Sequence, residues 1–206
     1  MDKILILDFG SQYTQLIARR IRELGVYCEI FPYDIAPKKI IDFGVTGIIL
    51  SGGPNSVYEE ETPSAPEEIF KLNTPILGIC YGMQTIVKQL GGTVQTSKKR
   101  EFGYAEIRAH DHSKLLNKIQ DRNNEKGHGL IDVWMSHGDK VTSLPSEFNI
   151  IASNESTPIA GISNEKRGIY GIQFHPEVTH TRQGGRIIQR FVIDICKAKA
   201  DWNMPN

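Results

Sequence analysis

A cysteine between two glycines, at the end of a short apolar run, carries the clearest chemistry in this chain. Pro75-Ile76-Leu77-Gly78-Ile79-Cys80-Tyr81-Gly82-Met83-Gln84 reads as a strand that enters a sharp turn and continues at once as a helix. The flanking glycines permit the close backbone approach and unusual dihedrals that such a turn needs. This is the cysteine form of a nucleophile elbow, which lifts one reactive atom above a sheet. A helix N-terminus behind Cys80 favours the thiolate, the nucleophilic form of the side chain. A buried structural cysteine is the ordinary alternative, but it leaves Gly78 and Gly82 without a role.

A nucleophilic thiol needs a base, and the chain offers two candidates. Gln173-Phe174-His175-Pro176-Glu177 closes another apolar run. Residues i and i+2 of extended chain point to one side, so Glu177 can hold the His175 imidazole while that imidazole activates Cys80. His137, in Trp134-Met135-Ser136-His137-Gly138-Asp139, also follows a predicted strand and has Asp139 at the same spacing. Spacing alone does not choose between them. A third strand end, Ser51-Gly52-Gly53-Pro54, supplies a glycine turn. Its Gly53 N–H, with the N–H of Tyr81, is a candidate oxyanion hole for acyl chemistry. The same four residues do not make a pyrophosphate-gripping loop, because the aspartate of such loops is missing and Pro54 has no N–H.

The surrounding elements must bring these strand ends together. Lys3–Asp8, Val26–Phe31, Gly47–Leu50 and Pro75–Ile79 read as short buried strands. Helical spacing of apolar residues predicts helices over Gln12–Leu24, Ser64–Leu72 and Gly82–Leu90. This alternation predicts a parallel sheet with helices on both faces, and ligands gather at the carboxyl ends of such strands. After Gly92 the rhythm changes. Tyr104–His110, Leu130–Trp134, Phe148–Asn154, Pro158–Ile162 and Ile169–Phe174 follow one another without long helices, which predicts an antiparallel extension. Arg122–Gly129 reads as an exposed loop, Ile187–Ile195 as a last amphipathic helix, and Asp201–Asn206 as linker. The expected fold class is α/β: an open, mostly parallel sheet flanked by helices, antiparallel in its C-terminal half.

The chain has 206 residues, enough for one large domain, and its 24 basic and 24 acidic side chains balance. Nothing in that balance points to nucleic acid or a membrane surface. No apolar stretch reaches membrane-spanning length, and the short run after Met1-Asp2-Lys3 has neither the length nor the cleavage site of a signal peptide. Three cysteines, Cys28, Cys80 and Cys196, form neither a disulfide framework nor a zinc site, and fit a reducing cytoplasm. Cys28 and Cys196 are expected in the core. His110, His112, His128 and His180 are expected to be solvated, as are the runs Glu59-Glu60-Glu61 and Lys98-Lys99-Arg100.

The three pieces together resemble the class I glutamine amidotransferases over essentially the whole chain. The elbow fits that family's nucleophile motif, Gln173-Phe174-His175-Pro176-Glu177 its His/Glu motif, and Ser51-Gly52-Gly53-Pro54 its oxyanion loop. The resemblance implies a triad of Cys80, His175 and Glu177, and favours His175 over His137 as the base. It also implies that Gln84, Ser136, His137 and Gly138 receive the amino-acid end of glutamine. The flanking words Ile6-Leu7-Asp8-Phe9-Gly10-Ser11-Gln12-Tyr13-Thr14 and His175-Pro176-Glu177-Val178-Thr179-His180-Thr181 are similar to the GMP synthase branch of the family. That implies a domain over residues 1–200 hydrolysing glutamine to glutamate and ammonia, then a linker to an ATP pyrophosphatase (synthetase) domain or subunit. That partner would aminate xanthosine monophosphate, and the whole enzyme is expected to be a homodimer. No metal or organic cofactor is expected in this domain, while ATP and magnesium would belong to the synthetase. Alternatives are an amidotransferase subunit of the anthranilate, CTP or carbamoyl phosphate type, a hydrolase on the same scaffold, and a silent glutamine-sensing module.

Overall fold

The first half of the chain alternates as its pattern predicts. In the computed structural model, which describes residues 1–54, 62–110 and 112–203 but not the side chains of residues 98 and 99, the order begins β1 (Lys3–Asp8), α1 (Thr14–Glu23), β2 (Tyr27–Pro32), α2 (Pro37–Phe43) and β3 (Gly47–Leu50). A single 3-10 turn (Glu67–Lys71) follows, then β4 (Ile76–Ile79) and α3 (Tyr81–Gln89). The second half contains β5 (Thr93–Ala109), β6 (Arg122–Asn123), β7 (Gly129–Ser143), β8 (Asn149–Ser153), β9 (Gly161–Asn164) and β10 (Ile169–Ile172). The chain closes with α4 (Gly184–Gln189), which runs into a π-helical turn (Arg190–Ile195). Met204–Asn206 and the Glu59-Glu60-Glu61 run lie outside the described residues, as do the side chains of Lys98 and Lys99.

Among the described residues, the strands join one ten-stranded sheet in the order β2-β1-β3-β4-β10-β9-β8-β5-β7-β6. The pairings β1–β2, β1–β3, β3–β4 and β4–β10 are parallel. From β10 to β9 onward every pairing is antiparallel. The parallel strands carry continuous apolar runs because both faces are covered. Ile4, Ile6, Ile49 and Leu77 share a core cluster with Ile17 and Ile21 of α1, Ile187 of α4 and Phe191 of the π-helical turn. Leu5, Leu7, Ile48 and Ile76 pack on the other face with Ile40, Ile69, Met83 and Ile86.

Four differences from the sequence reading have physical causes. Ser64–Leu72 does not form a helix: Pro66 caps a five-residue 3-10 turn and biases Ala65 toward extended backbone. Helix α2 buries only Ile40, so it leaves almost no apolar stripe; its signals are Pro37 in the first turn and Gly44 at φ 71 beyond the end. Strands β5 and β7 run 17 and 15 residues, far beyond Tyr104–His110 and Leu130–Trp134, because β7 alternates buried and half-buried residues along its length. His137 therefore lies within a strand and does not follow one. Arg122–Gly129 is not entirely loop, since Arg122 and Asn123 pair with Leu130 and Gly129 at the sheet edge. In the tail, Trp202 N–H donates to Gly25 O at 2.9 Å and its indole meets the Tyr27 ring edge-on.

The elbow depends on backbone packed against backbone. A Cβ at Gly82 would stand 2.3 Å from Leu50 O, and one at Gly78 would stand 2.6 Å from Gly82 O. Helix α3 thus starts in contact with the ends of β3 and β4. Gly82→Ala is expected to destabilise the protein by about 1–3 kcal/mol, the usual cost of overpacking a filled site. Gly185→Ala, in an exposed helical position with nothing within 4 Å of the added carbon, is expected to be neutral or to stabilise by up to about 1 kcal/mol. Chemical denaturation of both variants checks the opposite signs.

Candidate active site

Cys80 stands at the junction of β4 and α3 with φ 53 and ψ −108. This is a conformation that side chains rarely adopt, and it is held by its surroundings. Its N–H is fixed by Ile172 O at 2.8 Å, and its carbonyl accepts from Gln84 N–H at 3.1 Å. The side chain is 5 % exposed. As a thiol, Cys80 can donate to Ser136 O, 3.3 Å from Sγ. As a thiolate, it accepts from Gln173 Nε2 at 3.5 Å.

His175 comes from the segment beyond β10, a neighbour of β4 in the sheet. Its Nδ1 meets Glu177 Oε1 at 2.6 Å, with both side chains buried. Gly52, beyond β3, stands against both side chains: a Cβ there would lie 3.1 Å from His175 Cε1 and 3.6 Å from Cys80 Cβ. Burial works against a charged His175. Hydrogen bonds to Cys80 and Glu177, and the negative charges of both, more than offset it and push the imidazole up to about 10. The imidazolium form of His175 is the state this environment favours at neutral pH.

Several residues outside the proposed triad hold the imidazole in place. His175 N–H donates to Trp134 O at 3.1 Å. The Thr181 hydroxyl donates to His175 O at 2.7 Å and accepts from Trp134 N–H at 3.0 Å, which clamps the loop to β7. Tyr13 sets its ring edge-on to the imidazole, with centroids 5.3 Å apart. Arg20 Nε donates to Glu177 O at 3.2 Å. Gln173, fully buried, places its amide between Cys80 and Gln84: its Oε1 accepts from Gln84 Nε2 at 3.2 Å. The mark of Gln173 in the sequence is a polar residue inside the otherwise apolar run Ile169–Phe174, where burial demands partners.

A cavity of about 290 Å³ opens beside Cys80. Gly53 and Tyr81, the two expected oxyanion donors, line it, as do Gln84, Ser136, His137 and Gly138. Gln84 is fixed by a hydrogen bond from its Nε2 to Asp139 O at 3.1 Å. His137 is a different kind of histidine from His175. Burial pushes its imidazole below the ordinary histidine range, so the ring is neutral. Its Nδ1 donates to Asp139 O at 2.8 Å, which leaves Nε2 as an acceptor, and that buried atom has no partner among the described residues. Arg100 and Glu101 complete the charged rim. Among the described residues no group of His, Cys, Asp and Glu is arranged to hold a metal ion. His110, expected in solvent, is half-buried, and its Nε2 lies 3.0 Å from Ser153 Oγ.

Two measurements follow from this arrangement. By nitrogen NMR, His175 should titrate far above the ordinary histidine value. Its midpoint should fall in Cys80→Ala and in Glu177→Gln, because each change removes a negative partner that favours the charged ring, while His137 should stay neutral throughout the neutral range. Iodoacetamide at neutral pH should modify Cys80 alone. Burial pushes the Cys28 thiol up to about 11 and raises that of Cys196 further, so both stay protonated. Mass spectrometry of the peptides reads the selectivity.

The family model for "Glutamine amidotransferase class-I" matches residues 5–195, from the first strand to the end of the last helix. A GMP synthase [glutamine-hydrolyzing] of Methylobacillus flagellatus is 65% identical over 205 residues, which is 100% of this chain and 39% of that one. The enzyme of the same name from Thiobacillus denitrificans gives the same figures. The chain thus spans 39% of the length of these curated relatives. Among solved structures, a candidate GMP synthase subunit from Thermoplasma acidophilum superposes with a TM-score of 0.80 at 32% identity, covering 96% of this chain and 94% of that one. A glutamine amidotransferase from Thermotoga maritima, at 19% identity, shares the fold with a TM-score of 0.74 over 95% of this chain and 98% of its own. With the match running through every strand that positions Cys80, His175 and Glu177, the chain belongs to the class I glutamine amidotransferase family.

Proposed function

We propose that the chain is the glutaminase part of a GMP synthase: it hydrolyses glutamine to glutamate and ammonia, and a synthetase portion uses the ammonia to aminate xanthosine monophosphate. The observation that carries the glutaminase reading is the buried His175–Glu177 pair at 2.6 Å, set with the strained Cys80 around Gly52. The GMP branch rests on the relatives at 65% identity.

In this reading glutamine enters the cavity beside Cys80 with its carboxamide over Sγ. The neutral His137 Nε2 is suited to accept from a substrate N–H, and the Ser136–Gly138 backbone lies along the same wall. The thiolate attacks the amide carbon. N–H groups of Gly53 and Tyr81 receive the developing oxyanion, a type of contact worth about 10²–10³ in rate per donor. His175 gives its proton to the leaving nitrogen, with Glu177 holding the ring. Water activated by His175 then cleaves the glutamyl thioester. Every step uses side chains and backbone of this chain, so the glutaminase half calls for no cofactor. ATP and magnesium are assigned to the synthetase portion, the whole enzyme to a homodimer, and the setting to the cytoplasm.

Glutamate release from glutamine tests the reading. Cys80→Ala should abolish it, since no other residue lining the cavity can form the thioester. His175→Ala should be nearly as damaging, because nucleophile and base act as a unit. Glu177→Ala should be milder, and His137→Ala should raise KM more than it lowers kcat. Turnover at near wild-type rate by Cys80→Ala would refute the assignment. A dead His137→Ala beside an active His175→Ala would exchange the roles of the two histidines.

A further inference from the structure

Cys80 is reached by two cavities. The one beside Gln84 and His137 is the proposed glutamine site. A second, of about 270 Å³, opens on the other side of the nucleophile, between the β1–α1 turn and the oxyanion loop. Gly53, Pro54, Cys80 and Ser136 border both. His175 borders only the second, whose remaining lining is Gly10, Ser11, Gln12 and Tyr13. We propose that this second opening is the way out for the amide nitrogen and the way in for the water that cleaves the thioester, an inference that rests on the glutaminase reading.

Stereochemistry assigns the two routes. In the tetrahedral intermediate the carbon bonded to Sγ carries three other groups. The oxyanion faces Gly53 and Tyr81, and the aliphatic chain lies in the glutamine cavity. The nitrogen is left on the side of His175, its proton source, and so faces the second cavity. When the C–N bond breaks, its electron pair goes to nitrogen, the imidazolium supplies one proton, and neutral ammonia forms. The glutamyl group is then still bonded to Sγ and fills the cavity by which it entered. Ammonia therefore has no retreat through the entrance, and water has no approach through it.

The second opening suits this traffic. Apart from His175 and Cys80, its described lining holds only glycine, proline and uncharged polar groups, with no carboxylate to retain an ammonium ion. Its mouth is built, too. The turn that lines it is fixed by Asp8, itself not among the lining residues, whose Oδ1 accepts from Gly10 N–H at 2.8 Å and from the Thr14 hydroxyl at 3.0 Å, and by Ser11 Oγ, which accepts from Tyr13 N–H at 3.0 Å. Gly10 and Pro54 form the neck, where a Cβ on the glycine would stand 3.2 Å from the proline ring. Gln12 is exposed at the rim.

Hydroxylamine, an ammonia analogue, reports on the route. Its nitrogen attacks the thioester carbon, its proton passes to His175, and the Cys80 thiolate departs, giving γ-glutamyl hydroxamate in competition with glutamate. A tryptophan at the rim should obstruct hydroxylamine more than the smaller water. For Gln12→Trp we expect the hydroxamate-to-glutamate ratio to fall at least about fivefold with KM for glutamine within about twofold of wild type. Arg100→Trp, at the other mouth, should raise KM and leave the ratio unchanged. A ratio unaffected by Gln12→Trp overturns the proposal, whatever Arg100→Trp does. A wild-type chain that yields neither product overturns instead the glutaminase reading beneath it.

Discussion

The contact from which the rest of the site follows is the approach of the first turn of α3 to the ends of β3 and β4. Gly82 meets Leu50 O, and Gly78 meets Gly82, at distances that admit no side chain. Once the helix starts there, the residue joining strand to helix has little choice of backbone, and Cys80 takes φ 53. That geometry puts Sγ at the start of a helix, where the peptide dipoles favour negative charge. It also ties Cys80 N–H to Ile172 O, so the strand that leads to His175 is held in register with Cys80. The position of Sγ and the register of β10 thus share one mechanical cause.

Charge is costly to bury, and the site meets that cost through pairing. His175 has Cys80 on one side and Glu177 on the other, and the net effect is a ring that stays protonated well above neutrality. His137, at similar burial, is bonded to a carbonyl oxygen and stays neutral. Two histidines that spacing could not rank are separated by their neighbours: one is held protonated, the other neutral with an unpartnered acceptor nitrogen.

The parallel half of the fold and the elbow were legible because their signals are local. Short apolar runs, glycines two residues from a cysteine, and a His-x-Glu at a strand end each sit within a few residues of sequence. What escaped was non-local or sparse. Strands β5 and β7 carry half-buried polar positions that pair chiefly with each other, so their lengths exceed what apolar alternation reveals. Helix α2 packs too little surface to leave a stripe, and the proline before Glu67 reduces 64–72 to one tight turn. Thr181 and Tyr13 act on His175 from a nearby turn and from the far end of the chain, and nothing in a linear reading places a hydroxyl or a ring there. Gln173 was in view within its motif, but its link between Cys80 and Gln84 needed the fold.

The sheet changes from parallel to antiparallel at β10, and the change divides labour. Cys80, Gly53 and the strand leading to His175 belong to the parallel half, while Ser136, His137, Gly138, Arg100 and Glu101 belong to the long β5–β7 ribbon. At Cys80 and His175 the two halves meet chiefly through the contacts of Ser136 O, Trp134 and Thr181. On the glutaminase reading proposed above, a mutation in the ribbon can therefore alter which acyl donor fits while leaving proton transfer as it was, and a mutation in the parallel core cannot easily do the reverse. Selection acting on such a molecule finds its substrate range and its reactivity on separately adjustable parts. That is a condition under which one hydrolytic engine can be refitted to new donors without being rebuilt.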